Sequence, residues 1–399
     1  MAFYSQEAIM KYMAKVVIVI PTYNERENTE KMIEALAQEL PKIKNHEVHV
    51  LYVDDTSPDE TYEVVREKGE KYPWLHLLLN AEKKGLGVAY AKGFAFAMDK
   101  LGADYVMEFD ADFQHRPDEI KKLVAKIDEG YEYIIGSRYI PGGSIPKEWG
   151  FSRKFLSVIG NLVARVGLLM PKVHDLTTGF KLTKSSVMKK IDLDHLYSNS
   201  FAYKVQILGQ AIQGGAKWAE VPITFMARTK GESKIIKNEM VETLKVIFLV
   251  QIHNPKILRF IKFGTVGFLG FVVNFVFLRV FRGLGFSETL SWFFSTELAI
   301  INNYALNNIW TFKEAKIAGL TKTVVKFIQF NATSAGALAI QSIFGPLGVR
   351  LVGTQYDYLV LAVVVVFMVL PYNYVMYNLI IWRTWKFPLL DKLFTKKQA

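Results

Sequence analysis

The sequence predicts an α/β domain with a mostly parallel, doubly wound sheet, followed by an all-α domain of four membrane-spanning helices. Three observations predict it. Short, continuous apolar runs alternate with helical patterns through the first half, as the strands of a sheet covered on both faces do. A polar cluster follows each run. From about residue 259 onward the chain is dense in Phe, Val, Leu and Ile and poor in acids, with stretches long enough to cross a bilayer. The 399 residues suit about two domains at roughly 100–200 residues each. The composition shift places a soluble domain over 1–238, interfacial helices and a linker over 239–258, and a transmembrane domain over 259–399.

The strands are expected at 16–20, 48–53, 75–79, 105–109 and 133–135. The helices between them are expected at 27–40, 59–71, 88–100 and 118–129. Ligands of such sheets bind beyond the carboxyl ends of the strands. The five successive ends carry Pro21-Thr22-Tyr23-Asn24-Glu25, Asp54-Asp55-Thr56-Ser57, Lys83-Lys84-Gly85-Leu86-Gly87, Asp110-Ala111-Asp112-Phe113-Gln114 and Gly136-Ser137-Arg138. Alone, Asp54-Asp55-Thr56-Ser57 reads as a cap and turn. Gly85-Leu86-Gly87 lacks the third glycine of a dinucleotide fingerprint, which argues against a hydride-transfer enzyme. Together the clusters read as one site.

Asp110 and Asp112 are the sharpest element. Two carboxylates two residues apart face the same way if the strand continues. Hard oxygen ligands at that spacing suit Mg²⁺ or Mn²⁺ holding a diphosphate, with Gln114 as a further neutral oxygen and small Ala111 allowing close backbone approach. The competing reading is a turn that starts the next helix, which begins with Pro117, Asp118 and Glu119. His115 is a tempting general base, against the plainer reading of a surface or supporting histidine.

The chain has no cysteine. That excludes disulfides, thiolate catalysis and Cys-based zinc sites. A formal net charge of +11 fits a membrane surface, anionic lipid or a phosphate-rich ligand. Residues 1–15 hold no long apolar run, so no signal peptide is expected at the N-terminus.

Residues 149–170 read as an amphipathic helix, with Phe151, Phe155, Val158, Ile159, Leu162, Val163 and Val166 in one stripe. It either packs on the domain's own sheet or lies in a membrane interface. Residues 240–250 are a second candidate interfacial helix, ended at His253-Asn254-Pro255. The spans are expected at 260–281, 290–312, 324–347 and 358–382. Twelve basic residues flank one side (Lys256, Arg259, Lys262, Lys313, Lys316, Lys322, Lys326, Arg383, Lys386, Lys392, Lys396, Lys397), against Arg279, Arg282 and Arg350 on the other. Both termini and the first domain are therefore expected on the cytoplasmic side. Glu297, Asn302, Asn303, Asn307 and Asn308 inside the second span either join helices or meet a lipid head group. Gly264, Gly267 and Gly270 in the first span suit close helix contact.

The five strand-end motifs, together with Asp175-Leu176-Thr177-Thr178-Gly179-Phe180 and Val221-Pro222-Ile223-Thr224-Phe225 followed by Arg228, Gly231, Ser233 and Lys234, resemble the family 2 glycosyltransferases of GT-A fold. Within these they look like the polyprenyl-phosphate glycosyltransferases that include dolichol-phosphate mannose synthases. The second half resembles a GtrA-like four-helix domain through weaker motifs. The resemblance implies transfer of mannose from GDP-mannose to a dolichyl or other polyprenyl phosphate, with a divalent metal (Mg²⁺ or Mn²⁺), a bilayer and no nucleic acid as partner. By the same resemblance Pro21, Tyr23 and Glu25 would hold the nucleoside, with Val53 and Asp55 at base and ribose. Asp110, Ala111, Asp112 and Gln114 would hold donor diphosphate, with Asp110, Asp112 and Gln114 on the metal. Asp112 and Arg138 would be the catalytic residues. Arg228 and Lys234 would close over the donor. The acceptor phosphate would meet Arg138, with Arg153 and Ser157 as further candidates. Two alternatives stand beside this reading. One keeps the reaction with UDP-glucose or another UDP-sugar as donor, and the other is a non-catalytic, lipid-binding membrane protein. A processive polysaccharide synthase is disfavoured, because no Gln-x-x-Arg-Trp motif is present.

Overall fold

The computed structural model describes residues 13–227 and 238–385. The chain divides into two compact units, 1–252 and 253–399. The first holds a seven-stranded sheet of order β3-β2-β1-β4-β6-β5-β7. Its strands are β1 Lys15–Thr22, β2 Glu47–Asp54, β3 Leu75–Leu79, β4 Tyr105–Glu108, β5 Tyr133–Ser137, β6 Lys181–Lys184 and β7 Trp218–Pro222. The five expected strands are all present. β6 and β7 are additional, and β6 alone runs antiparallel, between β4 and β5. The other six strands therefore deliver their carboxyl ends to one edge.

The helices of this unit are α1 Arg26–Glu39, α2 Thr61–Lys71, α3 Leu86–Asp99, α4 Ile120–Val124, α5 Phe151–Gly167, α6 Ser185–Met188, α7 Tyr203–Gln213 and α8 Asn238–Ile252. The sheet alternates its side chains between two buried layers. Val16, Ile18 and Ile20 point into one, with Met32, Ile33 and Leu36 of α1. Val17 and Val19 point into the other, with Tyr90, Phe94 and Ala97 of α3. Gly93 of α3 lets that helix approach β1 and β2, since a Cβ there would lie 2.4 Å from Val19 and 2.9 Å from Val53. The helix expected at 118–129 is split into a 3₁₀ turn (Pro117–Glu119), α4 and a second 3₁₀ turn (Ala125–Ile127).

Of the two readings of the 149–170 segment, the structure shows the apolar stripe of α5 turned outward. Asn161 and Ala164 are its buried residues, whereas Phe151, Phe155, Leu162 and Val166 are exposed, Phe151 by 84%. α8 packs beside it, with Ile247 against Gly167 and Gln251 Nε2 donating to Gly167 O at 2.6 Å. Met240, Val241, Leu244 and Phe248 of α8 are likewise exposed.

The second unit is helical: α9 Pro255–Gly283, α10 Glu288–Leu306, α11 Leu320–Val352, α12 Asp357–Val364 and α13 Leu370–Met376. Asn254 caps α9 by accepting from Lys256 N, with Pro255 in the first turn, the position where a missing N–H costs nothing. Three helices are long and apolar enough to cross a membrane: Pro255–Gly283, Leu320–Val352 and Thr354–Ile381. The expected second span, α10, is not among them. Its polar amides lower its hydropathy, so the count of four spans is not met on length and composition. Gly270 of α9 packs tightly against the Asn303 side chain and Gly264 faces Leu370, while a Cβ on Gly267 would meet nothing within 4 Å among the described residues. A π-helical turn over Asn307–Thr311 follows α10. There Asn308 Oδ1 accepts from Ile317 N (2.8 Å) and Trp382 Nε1 (3.1 Å), and its Nδ2 donates to Ile317 O at 3.0 Å. Phe312 stacks on Trp382 at 4.3 Å. Asn308 thus acts as helix glue, one of the two expected roles.

Candidate functional site

The site is built at the shared strand edge, in three connected parts. The first lies beyond β1 and β2. Asp54 accepts Thr22 Oγ1 at 2.9 Å and Ser57 Oγ at 2.7 Å, and Ser57 Oγ in turn accepts Asn24 N at 3.0 Å. Asn80 Nδ2 donates to Asp55 Oδ1 at 2.8 Å. Burial raises the Asp55 pKa, opposed by that hydrogen bond. Lys83 Nζ sits 3.6 Å from the centre of the Tyr23 ring, a cation–π contact. Pro21, Tyr23 and Glu25 are half-buried on this edge. Val53 is fully buried, so it forms the floor of the site rather than a surface a nucleoside could touch.

The second part follows β4, which ends at Glu108. The strand does not continue through the paired aspartates as supposed. Asp110–Gln114 form a turn in which Phe113 takes a left-handed φ of 58°. Asp112 Oδ1 accepts Gln114 N at 3.1 Å, and Gln114 Nε2 reaches Met226 O at 3.5 Å. Ala111 is buried. Asp110 Oδ1 accepts Tyr90 Oη at 2.9 Å, and its Oδ2 lies 3.6 Å from Lys204 Nζ. Burial works against this carboxylate, yet Lys204 and Tyr90 hold its pKa below the ordinary value. Asn24, Thr56 and Glu60 also take positive φ in the loops after β1 and β2. Such strain is kept where the surroundings over-determine it, commonly at functional sites.

His115 is buried among Phe109, Phe180 and Phe225, with the Phe225 ring 5.0 Å away. Burial pushes its pKa down to about 3, and Nδ1 has no partner among the described residues. A neutral imidazole with so low a pKa is a poor base.

The third part joins β5 to the 175–178 loop. Arg138 Nε donates to Asp175 Oδ2 at 2.7 Å, and Nη2 donates to Asp175 Oδ1 at 2.8 Å and to Thr177 Oγ1 at 2.9 Å. Asp175 is fully buried. Burial disfavours its charge, but the guanidinium outweighs this and lowers its pKa. Nη1 takes part in none of these three hydrogen bonds. Asn161 of α5 donates to Thr177 Oγ1 at 3.1 Å, and Ser157 shares a 2.6 Å hydrogen bond with Tyr139. Arg153 lies 4.2 Å over the Trp149 ring. Phe225 ties this part to the second, touching His115, Trp149 and, at 5.2 Å, Arg138. Arg228 and Lys234 lie outside the described residues.

The donor set fits a hard divalent cation. Two carboxylates follow one strand, the Gln114 side chain adds an amide oxygen, and a diphosphate would supply the remaining oxygens. Among the described residues no cluster of three or more His, Cys, Asp or Glu is present, so the protein's charged share would be Asp110 and Asp112. The floor there is tight. A Cβ on Gly179 would lie 2.4 Å from Lys204 Nζ and 2.8 Å from Asp110 Oδ2.

Sequence reasoning missed Asp175, Gly179 and Lys204 as site residues. The first two lie in a quoted motif, where a buried Asp and a Gly at a close approach are readable signals. Lys204 carried none, because a lysine in a helix that also holds Gln206, Gln210 and Gln213 looks like any solvated one.

Residues 17–192 match Glycosyl transferase family 2 and residues 262–382 match the GtrA/DPMS transmembrane domain. A dolichol-phosphate mannosyltransferase of Pyrococcus furiosus is 36% identical over 317 residues, covering 78% of this chain and 85% of that one. A polyprenol monophosphomannose synthase of Mycolicibacterium smegmatis is 35% identical, covering 59% and 87%. Among solved structures, glucosyl-3-phosphoglycerate synthase from Mycobacterium tuberculosis, in complex with Mn²⁺, UDP and glucosyl-3-phosphoglycerate, is 15% identical with a TM-score of 0.43, covering 60% of this chain and 80% of that one.

Proposed function

The chain belongs to the dolichol-phosphate and polyprenyl-phosphate mannosyltransferases of glycosyl transferase family 2, and from that premise we propose that it transfers mannose from GDP-mannose to a polyprenyl phosphate such as dolichyl phosphate at the cytoplasmic membrane face. One observation carries the reading: a single chain joins a family 2 transferase unit to a GtrA/DPMS-type membrane unit, and one relative aligns across both.

The chemistry follows from charge. A lipid phosphate is ionised near neutral pH and needs no strong base. Its oxygen attacks the anomeric carbon as the carbon–oxygen bond to the diphosphate breaks, GDP departs, and an α-linked donor gives a β-linked lipid product. The difficult tasks are to bring two anions together and to stabilise the leaving diphosphate. Asp110 and Asp112, with Gln114, would hold the divalent metal. When bound, that metal supplies Lewis-acid stabilisation of the diphosphate oxygens. Arg138, aimed by Asp175 and Thr177, would present Nη1 to the acceptor phosphate, with Ser157 and Arg153 on the neighbouring helix. Asp55, Tyr23 and Lys83 would receive the nucleoside end. Arg228 and Lys234, outside the described residues, would close over the donor diphosphate. The outward apolar faces of α5 and α8 would lie in the bilayer surface, so that a lipid-borne phosphate arrives beside Arg138.

The test is direct. Full-length protein in detergent is incubated with a short-chain polyprenyl phosphate, Mg²⁺ or Mn²⁺, and radiolabelled GDP-mannose or UDP-glucose in separate tubes. Label entering lipid from GDP-mannose alone is expected. Label from UDP-glucose alone would replace the donor, and failure of both together with a wider panel of nucleotide-sugars would overturn the proposed reaction.

A further inference from the structure

Lys204 stands in the first turn of α7 and is only 2% exposed. A buried ammonium is costly unless a carboxylate compensates it. The carboxylate that does so is Asp110, whose Oδ2 lies 3.6 Å from Nζ. Among the described residues no other carboxylate lies within ion-pair distance of this amine. The Tyr90 and Phe201 rings flank it at 5.8 and 5.3 Å, and Gly179 lies so close that a Cβ there would stand 2.4 Å from Nζ. A fixed positive charge is therefore built against one of the two carboxylates read above as metal ligands.

Two cations that share one carboxylate repel each other. A diphosphate arriving at the same place offsets both. We propose that Lys204 is a resident counter-charge. It keeps the site's affinity for the bare divalent cation low, so that cation and nucleotide diphosphate bind as a pair. The inference rests on the metal-site reading of Asp110 and Asp112. It assigns Lys204 a positioning and charge-setting role. Tyr90 anchors the other oxygen of Asp110 and prevents the carboxylate from swinging away from the amine.

The probe is Mn²⁺ alone, titrated into the full-length protein in detergent. The free ion is read by its paramagnetic resonance signal, with and without GDP. The wild type should bind bare Mn²⁺ weakly and bind it far more tightly with GDP. Lys204→Met should tighten bare Mn²⁺ binding by at least about tenfold, since one unit charge a few ångströms from the ion has been removed. It should shrink the GDP-dependent gain by a similar factor, because the coupling is reciprocal. Lys204→Arg, which keeps the charge, should behave as the wild type. A folded Lys204→Met protein with unchanged or weaker Mn²⁺ affinity would overturn the proposal. So would a wild type whose Mn²⁺ affinity does not depend on GDP, whatever the variants do. If the wild type binds no Mn²⁺ in either condition, or Asp112→Asn binds as well as wild type, the metal site itself is wrong and this inference falls with it.

Discussion

The Arg138 guanidinium places three hydrogen bonds on Asp175 and Thr177, so the direction of its remaining N–H groups is set by residues 37 and 39 positions away. Asp175→Asn should leave a buried guanidinium without its charge partner, at a cost of about 3–5 kcal/mol. Thermal unfolding should shift down, and kcat/KM for the lipid acceptor should fall by about a hundredfold or more while donor binding changes little. Asp112→Ala should abolish transfer with expression intact, and transfer surviving that change would refute the metal role. His115 gives a pH prediction. Its folded pKa is depressed to about 3 from the ordinary 6.5, so between these values the unfolded chain binds the extra proton. Stability then falls as pH drops from about 6.5 toward 3. The lowered pKa of Asp110 acts in the same direction at acidic pH. Denaturant melts of His115→Phe across that range should show a flatter slope than wild type. These residues differ in how far the sequence exposed them. Asp110, Asp112 and Arg138 stand where a run of apolar residues stops, and are visible as such. Asp175 and Lys204 gain their meaning only from partners brought together by folding.

The same contrast holds for elements. β1 to β5 are legible because buried parallel strands are unbroken apolar runs. β6 reads Lys-Leu-Thr-Lys and β7 Trp-Ala-Glu-Val-Pro, which resemble loops until pairing is known. Lys181 of β6 pairs opposite Glu108 of β4 in the antiparallel ladder. Burial lowers the Lys181 pKa to about 8, against the pull of Glu108. A charged residue at such a core position defeats any hydrophobic template. The α5 stripe was legible as amphipathic, but periodicity does not say whether an apolar face is covered by protein or by lipid. Its outward direction makes the next prediction. Phe151→Ser combined with Phe155→Ser should raise the KM for a long-chain polyprenyl phosphate severalfold and leave the KM for the soluble nucleotide-sugar unchanged. Equal effects on both would argue that these rings support the fold instead.

For the whole molecule, the absence of cysteine provides a clean background for mapping the membrane. Lys316→Cys and Gly285→Cys, each labelled with an impermeant maleimide in sealed vesicles, should react from opposite sides, with Lys316 cytoplasmic. Labelling from the same side would mean that α10 does not cross, as its low hydropathy among the helices of this unit allows. The two-unit division was legible as a shift in composition, whereas the π-helical turn after α10 was not, because a widened turn has no sequence signature apart from the contacts that stabilise it. That turn carries Asn308, whose carboxamide oxygen is satisfied in part by Trp382, 74 residues further along the chain. At synthesis rates of about 5–20 residues per second, Asn308 has only its Ile317 partners for several seconds before Trp382 is made. The Ile317 contacts are local and form first, and the Trp382 contact joins a helix made later. Trp382→Phe would therefore leave Asn308 holding its two Ile317 hydrogen bonds and remove only the long-range indole donor.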